Sequence, residues 1–154
     1  GDVYKRQRLL IYPDYYKEVM MLKLNKTTDY AIRVVVFLRK PGQWKTKIEI
    51  SEEMGIPRKY LQAVLDKLRE AGIVDSTRGI NGGYTLKKEW YDIKLIDIIK
   101  TTEAAVNINT FNDTEDINTK QLKSYLPVQS YFDKVQNEIE ANLSVTIQDI
   151  VNNY

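Results

Sequence analysis

The sequence predicts a mainly α-helical chain carrying one small β-hairpin, and three observations predict it. Apolar residues recur at helical spacing over residues 28–39, 57–71 and 127–143. Three of the seven glycines fall between residues 79 and 83, flanked by the short β-prone runs Ile73-Val74 and Tyr84-Thr85-Leu86. A glycine tip between two such runs reads as a hairpin. The helical segment before it follows a shorter helix across the tight turn Met54-Gly55-Ile56-Pro57. Two helices across a tight turn, then a hairpin, make a winged helix-turn-helix.

Residues 1–20 lack a sustained apolar period and read as a leader, upstream or cloning-derived. The alternative is an extra helix around Tyr15–Met20. A first helix is expected from about Thr28 to Arg39, capped by Asn25, Thr27 or Thr28 and stopped by Pro41-Gly42. Its core stripe is Tyr30, Ala31, Val34, Val35 and Leu38. Thr46-x-x-Glu49 is a capping box opening a short second helix that ends at Gly55. Pro57 suits the first position of a third helix, whose stripe is Leu61, Val64, Leu65, Leu68 and Ala71 and whose stop is Gly72.

Beyond the hairpin, Ile93, Leu95, Ile96, Ile98 and Ile99 predict a short apolar helix capped by Asp92. Residues 104–118 are polar and Asn-rich, and read as a loop. A long helix from about Pro127 to Leu143 carries Val128, Phe132, Val135, Ile139 and Leu143 on one stripe, with Tyr131 beside it. That stripe packs on its own domain or on a second copy. Thr146 opens a last short helix with Ile150 and Val151 on its apolar side. The expected organisation is a leader (1–20), a winged helix-turn-helix (21–101), a loop (102–118) and a long helix with a C-terminal helix (119–154).

Composition narrows the function. The chain has no cysteine and no histidine. Thiol nucleophiles, thiolate metal sites and the commonest general base are therefore absent. The carboxylates are scattered, and Gly79–Gly83 leads into a strand rather than the helix a phosphate-cradling loop needs. An enzyme is not expected, and no metal or cofactor is. No apolar run is long enough to cross a bilayer, so no membrane partner is expected, and the expected location is the cytoplasm. Charge is uneven. Residues 22–100 hold 16 Lys/Arg against 10 Asp/Glu, and residues 101–154 hold 3 against 8. A basic body suits a polyanionic partner.

Within that body, Arg58, Lys59, Tyr60 and Gln62 begin the helix expected to enter a major groove. Gln62 has the shape for a bidentate contact with adenine, and Arg58 or Lys59 for guanine or phosphate. Tyr60 reads equally as part of that contact set or as a core or phosphate-contacting aromatic. Arg78 suits an adjacent A·T-rich minor groove. Gly79, Gly82 and Gly83 serve conformation, with Asn81 and Tyr84 completing the wing set. Lys26, Thr27 and Thr28 mark a helix N-terminus able to hold a phosphate. Trp90, Tyr91, Phe111 and Tyr125 are candidates for lining an effector pocket, against the plainer reading of core packing. The competing function class is a winged helix that binds protein rather than DNA.

Five stretches are similar to the Rrf-two family of bacterial transcription regulators, which includes the iron–sulfur cluster regulator and the cysteine-metabolism repressor. They are Leu24 to Arg33, Ile48 to Tyr60, Leu61 to Val74, the wing Arg78-Gly79-x-x-Gly82-Gly83-Tyr84-x-Leu86, and Val145 to Val151. The resemblance implies a homodimer with long helices crossing between subunits. It also implies two winged helices on a pseudo-palindromic operator in double-stranded DNA; the expected function is a sequence-specific repressor or activator, with a repressor favoured. Many members hold an iron–sulfur cluster through three cysteines in the loop that corresponds to 104–118. This chain has none there, so the resemblance points to a cluster-free branch gated by a small molecule, a partner protein or nothing.

Overall fold

The computed structural model describes residues 24–103 and 123–154. Helix α1 (Lys26–Leu38) begins two residues before the expected start, because Asn25 is its cap and accepts the Thr28 N–H. Its stripe of Tyr30, Ala31, Val34, Val35 and Leu38 is buried as the 3.6-residue period requires. The stop comes at Arg39, whose φ of 64° leaves the helical region before Pro41 is reached.

Helix α2 (Lys47–Met54) carries the expected capping box with both reciprocal bonds: Glu49 N–H donates to Thr46 Oγ1, and Thr46 N–H donates to Glu49 Oε2. Gly55 ends it in the left-handed region, at φ 63°. The turn is closed by Ser51, whose hydroxyl donates to Ile56 O at 2.6 Å while its carbonyl accepts Ile56 N–H. Helix α3 (Arg58–Glu70) then runs on. Pro57 is its extended N-cap rather than its first residue. The α3 stripe Leu61, Val64, Leu65 and Leu68 is buried, but Ala71 is an exposed C-cap, so the core face ends one turn earlier than the periodicity suggests.

The hairpin comprises β1 (Val74–Thr77) and β2 (Gly83–Leu86), antiparallel, with Val74 opposite Leu86 and Thr77 opposite Gly83. A third extended segment joins it. Lys45 and Tyr84 exchange both main-chain hydrogen bonds, at 2.9 and 2.8 Å. A 3-10 turn (Trp90–Asp92) leads to α4 (Leu95–Thr102). Asp92 does not cap that helix. Lys94 is the cap residue, and its N–H donates to Asp97. Helix α5 (Leu126–Leu143) starts one residue before Pro127, and α6 (Ile147–Asn153) is capped by Thr146. A bridge of Lys94 with Thr146 ties α6 back to the body, and Ile147 reaches the core while Val151 stays exposed.

One core unites these pieces: the α1 and α3 stripes with Ile50, Ile56, Ile73, Val74, Leu86, Ile93, Ile98 and Ile147. A buried polar knot joins the N-terminus of α1 to the C-terminus of α4. There Thr28 Oγ1 lies 2.6 Å from Thr102 Oγ1 and 3.0 Å from Glu103 Oε1, and that carboxylate also accepts Asn25 N–H. No helix among the described residues is long and apolar enough to cross a membrane. The leader and the 104–118 loop lie outside the described residues.

Gly83 has φ 149°, and a Cβ there would collide with the Lys45 carbonyl oxygen; Gly79 has φ 109° but open space around it. Gly83→Ala should therefore lower stability by roughly 1–3 kcal/mol, and Gly79→Ala by less, in chemical denaturation. The capping hydrogen bonds from Thr46 hold the Glu49 carboxyl below its usual pKa. A depressed carboxylate contributes stability above its unfolded pKa and loses it as the pH falls through the folded value. Wild type should thus exceed Glu49→Gln in urea midpoint at pH 7, with the gap closing toward pH 3.

Candidate nucleic-acid interface

Because Leu61, Val64, Leu65 and Leu68 face the core, helical geometry turns Arg58, Lys59, Gln62, Asp66 and Arg69 outward. Arg58 and Lys59 stand exposed at the first turn, Arg58 lying 3.7 Å from the equally exposed Glu52. A pair so exposed contributes little to stability and leaves Arg58 free to exchange partners.

Tyr60 is half in the protein and half out. Its ring stacks on Tyr30 at 6.2 Å between centroids, and it carries the Lys59 ammonium 4.9 Å above its own. Lys26 and Arg33 lie over the Tyr30 ring at 5.9 and 5.5 Å. The two rings therefore tie α1 to α3 and gather cations around them. A cleft of about 420 Å³ opens beside the stack, lined by Lys26, Thr27, Tyr30, Tyr60, Ala63, Val64 and Lys67. Lys26 and Thr27 thus sit at its mouth.

Thr28 does not share that position. Its side chain is fully buried in the knot with Thr102 and Glu103. Glu103 occupies part of the helix N-terminus where a phosphate was expected. Thr28 is a structural residue, and the phosphate expectation at this end is left to Lys26 and Thr27.

At the wing, exposed side chains alternate with glycines. Arg78, Ile80 and Asn81 are exposed at the tip. Gly82 and Gly83 are required by close main-chain approach. A Cβ on Gly82 would lie 2.6 Å from Thr77 O, and one on Gly83 would strike Lys45. Tyr84 is half-buried against the core and bonded through its backbone to Lys45, so its ring belongs to the hairpin's foundation. The hairpin is also fastened to α3: Arg69 Nη1 donates to Ser76 Oγ at 3.2 Å. Sequence reading passed over Lys45, Lys47, Asp66, Arg69 and Ser76, whose roles depend on contacts between elements. For Lys45, Lys47 and Arg69 the Lys/Arg count of the segment was the only signal, and Asp66 and Ser76 had none.

Gln62 is not a free side chain. Its Oε1 accepts from Lys47 Nζ at 2.6 Å, and its Nε2 donates to Asp66 Oδ1 at 2.9 Å.

Among the described effector-pocket candidates, Trp90 lines a cavity that Tyr91 and Tyr125 do not. Trp90 donates its indole N–H to Val35 O at 3.1 Å, which marks it as packing. The cavity of about 500 Å³ that it lines is completed by Val36, Phe37, Arg39, Gln43, Lys45, Met54 and Val151, not by Tyr91 or Tyr125. Tyr91 and Tyr125 are exposed, and Phe111 lies outside the described residues. Helix α5 buries none of its residues: Val128, Tyr131 and Phe132 are 44%, 64% and 38% exposed. Val135, Ile139 and Leu143 are half-covered.

An outward cationic helix start, a glycine-tipped hairpin bonded to the same helix, and a core that fixes both define a winged-helix DNA-binding protein. The family model described as Rrf2, iron-dependent transcriptional regulator, matches residues 24–153, and the chain belongs to that family of bacterial DNA-binding transcription regulators. The HTH-type transcriptional regulator NsrR of Bacillus subtilis (strain 168) is 30% identical over 138 residues, covering 86% of this chain and 92% of that protein. Protein aau3 of Rhizobium meliloti (strain 1021) is 35% identical over 83 residues, and the chain spans about half of it, 54%. Among solved structures, T. potens IscR superposes with a TM-score of 0.62 at 29% identity, covering 86% of this chain and 88% of that one. The family model and the Bacillus subtilis relative are both described as transcriptional regulators.

The family description carries iron dependence, and the donor set here does not fit a thiolate-held cluster. The chain has neither cysteine nor histidine. No group of three or more carboxylates among the described residues is placed to hold a metal ion.

Proposed function

We propose that the chain is a homodimeric, sequence-specific repressor that reads a pseudo-palindromic operator without an iron–sulfur cluster. One observation carries this reading: the exposed start of α3 and the exposed wing arginine belong to elements bonded to each other through Arg69 and Ser76. In that geometry α3 enters a major groove and Arg78 the adjoining minor groove, while Lys26 and Thr27 approach phosphate. Dimerisation is supported by α5. An amphipathic helix of 18 residues with no buried side chain presents an apolar stripe, which a second copy would cover in a two-fold arrangement. The operator half-sites would repeat that symmetry. Without cluster ligands, the signal would come from a small molecule or a partner protein.

Arg78→Ala should weaken binding and reduce the preference for A·T-rich flanks in anisotropy titrations on duplexes selected from random sequence. Wild-type affinity should fall steeply with salt through counterion release. Salt-insensitive binding, or none to any duplex, would sink the DNA-reading account. Phe132→Asp should convert the dimer to monomer in light scattering, with the fold retained in circular dichroism; an unchanged mass would remove α5 from the interface.

A further inference from the structure

We infer that Asp66 is a positioning residue: it fixes the Gln62 amide for base reading. This rests on the DNA-reading function proposed above. Four polar links form one continuous chain across three elements. Lys47 Nζ on α2 donates to Gln62 Oε1 at 2.6 Å, and Gln62 Nε2 donates to Asp66 Oδ1 at 2.9 Å. Arg69 Nη2 donates to the same carboxylate oxygen at 3.2 Å, and Arg69 Nη1 donates to Ser76 Oγ on β1 at 3.2 Å.

The direction of the chain follows from its ends. An ammonium only donates, so it demands the amide oxygen of Gln62; a carboxylate only accepts, so it demands the amide nitrogen. A glutamine amide held at one end alone can turn over with little cost. Held at both ends by partners of opposite kind, it keeps one orientation. Each contact uses one site on an atom that has two. The amide therefore retains one acceptor site and one donor hydrogen, the set that adenine N6 and N7 require.

Charge gives the arrangement a second consequence. A carboxylate on the outward face of α3 repels phosphate, so Asp66 lowers binding to DNA of any sequence. Arg69 offsets part of that charge and is itself held back from phosphate by the bond. Asp66 thus trades general affinity for a fixed reader. Its removal should move discrimination and non-specific binding in opposite directions, which loss of structure would not do.

The test uses the full chain in anisotropy titrations against three kinds of duplex: the operator selected from random sequence, its single base-pair substitutions, and an unrelated duplex. For wild type, one base pair should be discriminated on the order of tenfold through Gln62. Asp66→Ala should cut that discrimination to about twofold or less, leave the other positions in place, and tighten binding to the unrelated duplex a few-fold, with an unchanged melting temperature. Gln62→Ala should flatten the same base pair, and the double variant should add nothing there. Asp66→Glu, which restores the carboxylate, should recover part of the discrimination.

The inference is overturned if Asp66→Ala keeps full discrimination, flattens a base pair other than that of Gln62, or weakens all duplexes alike. It also falls if Gln62→Ala changes no single position. Wild type failing to separate operator from unrelated duplex would instead defeat the DNA-reading function itself, so the two failures are distinguishable.

Discussion

Burial of one stripe of α3 against one stripe of α1 is the contact from which the rest follows. Leu61, Val64, Leu65 and Leu68 meet Ala31, Val34, Val35 and Leu38 in a continuous core. Each Leu or Val among them stabilises by about 1.5–3 kcal/mol when fully buried, whereas the exposed ion pairs of this surface give ~0–1 kcal/mol each. Apolar packing therefore decides which face of α3 is left outside. The polar residues on that face inherit their position from the leucines behind them, and the wing inherits its own from Val74 and Leu86 in the same core.

Polar contacts then refine what packing places. The Tyr30–Tyr60 stack sets the α1 side of the recognition helix, and the Lys47–Gln62–Asp66–Arg69–Ser76 chain sets the other. The first holds cations near the cleft beside α1. The second joins α2, α3 and the hairpin through side-chain hydrogen bonds, so the three elements are linked by polar contacts as well as by the core. A surface of this kind begins a binding event with less left to order.

Much of this was legible in the sequence because it depends on local rules. The Thr46–Glu49 capping box, the Gly55 and Gly72 stops, and the stripes of α1 and α3 each rest on residues within about two helical turns of one another. The glycine cluster of the wing was legible too, since few conformations other than a tight turn need three glycines so close together. The misses share a different origin. Thr28 looked like a surface cap because its partners, Thr102 and Glu103, lie more than seventy residues away. Gln62 looked like a free reader because Lys47 comes from another helix. Trp90 and Tyr91 are sequence neighbours, yet the 3-10 turn sends one indole into α1 and leaves the other ring in solvent. Periodicity reports which side of an element is apolar, but not which distant polar group waits opposite a given side chain.

The close main-chain approach at Gly82 and Gly83 has a consequence for how such a regulator can diversify. Those two positions admit no side chain without shifting Thr77 or Lys45, and Gly79 holds a backbone conformation that other residues seldom adopt. Within the tip, residues 78–83, lineages descending from this chain, or libraries built on it, can vary side chains without disturbing the backbone at Arg78, Ile80 and Asn81. The finger offers three adjustable letters in a frame that Gly82 and Gly83 hold fixed.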